Sequence, residues 1–452
     1  MGVVNLYRLP LFYLFLLISL NLLNYVDRYI LSSNLSEIGA RLIEIHPGFF
    51  GWEETLKGFL GSAFMVSFML SAPFFGWLSG RISRTKLISL GVILWSVSCG
   101  LGGFAGQIEG WCHDVSFTKG FDQNTESFYT AMIGGLGFLL LTRCLVGVGE
   151  GAFGPAAPAL LSDLFSEKKR GWVMACFYVA IPVGGALGYV LGGWLGWPDS
   201  FFWVVPPGLV LAAICWLLPD PSSEKKLLSS KTHNTPLITR PSVADYIELL
   251  KCRSYVINVL AYTASTFVVG GIAYWLPVYV KNREATGPES AGLWIGGITV
   301  LAGLLATPIG TWLAEKWTGK NKGAYLTVCG LGMFIGFPAL IAVIYFPFPS
   351  AWFFIFLAMF GFFLNIGPAN TALMNVCSAK MRAPAMALCI FAIHAFGDAV
   401  SPTIIGIISD RSPGKLNTAF LCISFLALIS GIIWIWGAQF LDADLKRDPD
   451  PR

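Results

Sequence analysis

The chain has 452 residues, of which 55% are hydrophobic and only 12% charged, and its mean hydropathy is +0.67. Soluble domains carry roughly 25% charge, so the composition excludes an ordinary soluble protein and points to an integral membrane protein. The formal net charge of +4 is too slight, and its lysines and arginines too scattered over short loops, to imply a nucleic-acid partner.

A spanning helix takes about 20 apolar residues. Apolar runs divided by turn residues and charges predict helices over 9–33, 57–78, 87–106, 129–153, 172–196 and 200–218, then over 255–280, 291–314, 324–346, 351–376, 385–408 and 417–438. The first run has no small-residue cleavage site behind it, so it reads as a retained helix and not a signal peptide. Helices satisfy their own backbone polar groups in lipid, which open sheets do not. The predicted fold is therefore all-α, with twelve transmembrane helices in two pseudo-symmetric six-helix bundles. Residues 1–219 form the first bundle, 220–253 a polar linker, and 254–452 the second bundle with a short tail. Within the linker, 243–250 has the apolar spacing of a short interfacial helix.

With the amino terminus inside, 21 of the 30 lysines and arginines fall on the inner face and 7 on the outer. That bias predicts cytoplasmic termini. Short tails and a compact linker suggest a bacterial inner membrane. A sequon at Asn34-Leu35-Ser36 lies close against the first helix. Among ten cysteines only Cys112 falls in an outer loop, so no structural disulfide is expected. That loop, 106–128, is long for its place and reads as a cap on the outer face.

The halves echo one another. Gly76-Trp77-Leu78-Ser79-Gly80-Arg81 closes the second helix, and Thr311-Trp312-Leu313-Ala314-Glu315-Lys316 closes the eighth. Internal repeats of this kind mark transporters, with a site expected between the halves near the midplane.

Charges inside a bilayer cost roughly 2.5 to 3.5 kcal/mol each on insertion scales, and few occur here: Asp27, Arg28, Arg143, Glu150 and Asp398, with the titratable His394. Three acids face two arginines, so one carboxyl has no obligatory cation and is free to exchange a proton. Asn21, Asn24 and Arg28 share a helix face. Arg143 and Glu150, seven residues apart, lie about 10 Å from each other along one face, too far for a simple pair, so each is expected to look toward another helix. His394 and Asp398 stand four apart, a spacing that allows a proton to pass between them. An equally open reading has Asp398 and Ser401 serving backbone groups freed by Pro402. These ionisable groups are expected to face a water-accessible passage.

Polar residues on other helices, among them Tyr178, Asn258, Tyr262, Thr263, Tyr274, Asn365, Asn370 and Asn375, concentrate in helices 7 and 10. Of these, Tyr178, Tyr262, Asn370 and Asn375 join Asn24, Arg28 and Arg143 as candidate substrate contacts. No phosphate loop, zinc-spaced cluster or nucleophile elbow is present, so no enzyme activity, metal or cofactor is expected. Uphill transport without an ATP site draws on an ion gradient, for which the spare carboxyl favours protons.

Arg143-x-x-x-Gly147-x-Gly149 in helix 4, Pro182-Val183-Gly184-Gly185 in helix 5 and the charged loop after helix 2 resemble the major facilitator superfamily. Asn24-Tyr25-Val26-Asp27-Arg28-Tyr29, Gly147-Val148-Gly149-Glu150, Phe177-Tyr178-Val179-Ala180-Ile181-Pro182, Gly188-Tyr189 and His394-Ala395-Phe396-Gly397-Asp398-Ala399-Val400-Ser401-Pro402 are similar to its Spinster subfamily. The resemblance implies proton-coupled transport of a lysophospholipid or sphingoid amphiphile by alternating access; a monomer is expected, with protons, membrane lipids and the substrate as its partners. Asp27, Arg28, Arg143 and Glu150 would then take the family's coupling roles, with His394 and Asp398 beside them, and Arg81, Arg84, Pro182, Gly184 and Gly185 would serve gating. The chain departs from the superfamily's loop motif at Gly80, usually Asp, and at Ser83, usually Gly. A hydrophilic organic anion is the alternative substrate, and a receptor that no longer cycles the alternative class.

Overall fold

Each apolar run is helical in the computed structural model, which describes residues 10–46, 49–79, 81–114, 129–220, 242–284, 288–378 and 381–445. Gly80, the loop segment at 115–128, the linker at 221–241 and the tail from 446 lie outside the described residues. The spans are α1 (Pro10–Leu42), α2 (Glu53–Ser79), α3 (Arg84–Gly102), α4 (Tyr129–Leu164), α5 (Trp172–Leu195), α6 (Asp199–Leu217), α7 (Arg253–Arg283), α8 (Ser290–Thr318), α9 (Ala324–Tyr345), α10 (Ser350–Asn375), α11 (Pro384–Arg411) and α12 (Leu416–Leu445). Twelve long apolar helices make this a multi-pass membrane protein.

Several helices outrun the ends drawn from sequence. Polar residues had marked the end of the first at 33, but α1 continues to Leu42 because its polar side chains find buried partners. Asn34 donates to Ile30 O at 2.9 Å and to Ser200 Oγ at 3.0 Å. Only 3% exposed, it offers no sequon to solvent.

The chain forms two compact units, Met1–Thr235 with Val280–Gly296, and Pro236–Tyr279 with Gly297–Arg452. The boundary is thus less simple than a cut at the linker. Residues 280–296 group with the first unit, where Gly292 and Gly296 abut the α5 backbone at Tyr189 and Ala186.

In the first unit α4 is the hub, and its glycines make it so. A methyl group at Gly147 or Gly151 would stand 2.2 Å from Ser67 Oγ or Ser71 Oγ of α2, and one at Gly149 would stand 2.7 Å from Gly91 O of α3. Missing side chains let two neighbours pack on α4 backbone to backbone. A second seam joins α5 to α1, where Gly184 and Gly188 meet Leu22 O and Val26 O.

The ends of this unit are tied by ion pairs. At the end away from the termini, Glu109 on the short helix Ala105–Asp114 contacts His46 Nε2 at 2.8 Å and accepts from Gly135 N at 2.7 Å. Glu109 thereby ties the segment after α3 to α4. Lys57 is buried there against Glu44 and Glu54, its chain passing over Gly39. At the other end Arg84 pairs with Asp163, and its backbone N–H donates to Asp220 at 2.7 Å.

The second unit is held by neutral hydrogen bonds. Trp434 Nε1 donates to Asn258 Oδ1 at 2.8 Å, and Asn258 Nδ2 donates to Ala369 O at 2.8 Å, joining α12, α7 and α10. Asn365 donates to Ser265 Oγ at 2.9 Å, and Ser430 Oγ donates to Ala261 O at 2.7 Å. The α10 helix is interrupted at Leu364 and Asn365, which explains an asparagine with a buried amide at that point.

Candidate functional site

The buried charges of the first unit converge from α1 and α4. Arg28 reaches from α1 to Glu150 on α4, donating through Nε at 2.8 Å and through Nη2 at 2.7 Å to the same Oε2. Its guanidinium is walled by the rings of Tyr25, Phe64 and Phe68, with Cζ 4.9 to 5.3 Å from their centroids. Aromatic faces stabilise a desolvated cation, so the pair is held from both sides.

Asp27, the next residue, is fully buried, and neither of its carboxyl oxygens has a hydrogen-bond partner among the described residues. Glu150 and Arg143 are the charged groups acting on it, and the buried Cys99 of α3 lies beside it. Arg143 is 2% exposed, its guanidinium 5.1 Å from the Phe201 ring, with Nε and Nη2 unbonded. Asn24 Nδ2 and Glu150 Oε1 are likewise unbonded. One ion pair is therefore closed, and next to it sit a carboxyl and a guanidinium with hydrogen-bonding capacity to spare.

Two sequence expectations meet the geometry differently. Glu150 and Arg143 do address different neighbours, as their spacing required. Asp27, Arg143 and Glu150 lie within the helix packing, whereas Arg28, His394 and Asp398 keep 17%, 26% and 18% of their side chains exposed. The glycine seams along α4 bring α2 and α3 too close to leave an opening there.

The remaining residues fall into separate places. His394 Nδ1 stands 3.0 Å from both oxygens of Asp398, inside a π-helical turn spanning His394–Asp398. Pro402 has no N–H to offer the preceding turn, and Ala399 N donates instead to His394 O. Helix α7 fits against this turn at Gly270, where a methyl group would stand 2.5 Å from Asp398 Cβ. The Asp398 carboxyl meets the imidazole, whereas Ser401 Oγ, fully buried, has no hydrogen-bond partner among the described residues and serves no freed backbone group. In the same unit Asn370 Nδ2 lies 3.4 Å from Tyr262 Oη, and Asn375 ends α10.

Tyr178 is 49% exposed at a break in α5. Pro182 causes that break by removing the N–H that would meet Tyr178 O, and Asn21 donates to the neighbouring Phe177 O at 2.9 Å. Gly184 and Gly185 contact α1, at Leu22 O and the Tyr29 ring. Arg81 stacks on Trp77 at 3.7 Å, and Arg84 is committed to Asp163.

Sequence reasoning passed over Cys99, Asp163 and Asp220. Cys99 gave no signal beyond an apolar context. Asp163 did: an acid in the last turn of a helix opposes the helix dipole and calls for a cation, which Arg84 supplies.

Residues 17–402 match the Major Facilitator Superfamily. Protein spinster homolog 1 of Xenopus tropicalis is 29% identical, over 98% of this chain and 83% of its own length. Sphingosine-1-phosphate transporter SPNS2 of Danio rerio is 30% identical, over 93% and 81%. Among solved structures, a bacterial homolog of the human lysosomal transporter Spinster superposes with a TM-score of 0.72 at 17% identity, each chain covered to 98%. A D-xylose–proton symporter shares the fold with a TM-score of 0.70 at 17% identity, over 95% and 97% of the two chains. The chain belongs to the Major Facilitator Superfamily, within its spinster group, and is a transporter and not an enzyme.

Proposed function

We propose that the chain moves a lysophospholipid or sphingoid-type amphiphile by proton-coupled alternating access. The observation that carries the coupling is the Arg28–Glu150 ion pair with the unbonded Asp27 carboxyl beside it. A proton arriving on either acid weakens the hold of Arg28 or Arg143, and the freed guanidinium takes the substrate's anionic head. Arg28 and Arg143 suit a phosphate, and the aromatic wall of Tyr25, Phe64 and Phe68 suits an apolar neighbour. Sphingosine 1-phosphate, carried by the SPNS2 relative, has both parts.

In this reading Asn24 is a substrate contact, while His394 and Asp398 form a second proton-accepting pair. Tyr178, Tyr262, Asn370 and Asn375 contribute substrate contacts. Arg81, Arg84, Pro182, Gly184 and Gly185 govern opening, the glycines by letting α5 slide on α1. The protein acts as a monomer with both termini in the cytoplasm, a placement supported by 21 of 30 basic residues on that face. Its two bundles join through the linker at 220–253, in a bacterial inner membrane.

Proteoliposomes with an imposed pH gradient test this. Labelled lysophospholipid should accumulate in a gradient-dependent, saturable way. Asp27→Asn or Glu150→Gln should abolish the pH dependence while leaving the fold intact. Unchanged pH dependence in both variants defeats the coupling assignment, and saturable uptake of a sugar or carboxylate alone defeats the lipid assignment.

A further inference from the structure

A cavity of about 390 Å³ lies in the second unit, and none of the residues assigned above lines it. Its walls are the linker helix Val243–Lys251, the segment after α10 and the end of α12, and they include Asp245, Glu248, Leu249, Lys251, Met381 and Asp444.

The linker helix buries Leu249, turns three other apolar side chains outward, and leaves Glu248 and Lys251 exposed at the mouth of the cavity. Val243, Ile247 and Leu250, which fall within about 60° of one another around the axis, are 76%, 49% and 60% exposed. Asp245, Glu248 and Cys252 fall on the opposite face, which lines the cavity together with Leu249. A surface helix in water shows the reverse order. Apolar residues outward mean a lipid surrounding, and Cys252 alone separates this helix from the start of α7 at Arg253. The helix therefore lies in the membrane interface, on the face that carries the linker, and the cavity opens at headgroup depth.

Charge inside the cavity narrows the occupant. Asp245 is spent on the capping box with Ser242, and Asp444 accepts from Ser254 N at 2.8 Å. Glu248 and Lys251 have no hydrogen bond or ion pair among the described residues, with each other or with any third group. One free carboxylate and one free ammonium three residues apart complement a zwitterion: Lys251 takes a phosphate, and Glu248 takes an ammonium as a charge-assisted donor. Two further acids in the wall disfavour a purely anionic headgroup. We propose that this cavity binds the headgroup of a phospholipid bearing a primary amine, drawn from the adjacent leaflet and separate from the transported substrate.

Native mass spectrometry of the delipidated full chain, with phosphatidylethanolamine, phosphatidylcholine and phosphatidylglycerol of identical acyl chains, tests it. Phosphatidylethanolamine should be retained about tenfold better than phosphatidylglycerol. Glu248→Gln should bring the ratio to about parity, Lys251→Gln should lower retention of all three lipids, each at an unchanged thermal transition, and Asp27→Asn should leave the ratio alone. Equal retention of the three lipids by the parent chain overturns the proposal. So does a preference that survives Glu248→Gln, or one lost in Asp27→Asn. The result is independent of proton coupling, which is read in the transport assay.

Discussion

The two units differ in where their buried charges are concentrated. In the second, amide, hydroxyl and indole groups meet in neutral pairs such as Trp434 with Asn258 and Asn365 with Ser265. In the first, the interior is ionic and incompletely bonded, with Asp27, Arg143, Asn24 and Glu150 all retaining unsatisfied atoms. A satisfied neutral network fixes one arrangement, whereas unsatisfied charges are costly in any single arrangement and so favour alternatives. The first unit thus has the composition of a switch and the second, outside its His394–Asp398 turn, that of a frame.

The contrast is broken most severely by removing one partner of the ion pair. Arg28→Ala leaves Glu150 buried without its cation and should cost about 3 to 5 kcal/mol, read as a lowered thermal transition. Replacing both, as Arg28→Met with Glu150→Met, should recover most of that stability while transport stays absent. If the double variant is as unstable as the single, the pair is a structural fastener and the comparison fails.

Next in size comes the seam that holds the switch. Gly149→Ala places a methyl group 2.7 Å from Gly91 O and from Trp95 N, both backbone atoms, so α3 and α4 must separate. A loss of about 1 to 3 kcal/mol is expected, with transport reduced further than stability alone explains. Gly110→Ala, where nothing lies within 4 Å, is the matched control.

Sequence made the helices, their number and the buried charges legible, because apolar length and the cost of intramembrane charge are local properties. It also picked out Arg28 and Glu150 as groups needing partners. What it could not supply was which partner, since Arg28 reaches Glu150 across 122 positions, a fact of helix packing. Nor did it reveal that Asp27 lies sealed, because exposure depends on how closely Gly147, Gly149 and Gly151 let other helices approach. Cys99 and Asp220 were silent for the same reason: their roles exist only through neighbours distant in sequence. The α1 end was misplaced because a polar Ser-Ser-Asn run looks like a terminus until Ser200 is brought beside it.

Two further variants probe the frame. Asn258→Leu removes the acceptor of Trp434 Nε1 and the donor to Ala369 O, leaving two buried groups unpaired at about 1 to 3 kcal/mol each. The thermal transition should fall, yet the pH profile of the transport that persists should keep its shape, since no ionisable group of the first unit is touched. Tyr262→Phe deletes only a 3.4 Å contact with Asn370, near the limit of a hydrogen bond, so stability should change by about 0.5 kcal/mol or less. Any larger effect must appear in the apparent substrate affinity. A Tyr262→Phe chain with parental affinity removes Tyr262 from the substrate contacts, whereas an Asn258→Leu chain with a displaced pH profile carries proton coupling into the second unit and dissolves the division between switch and frame.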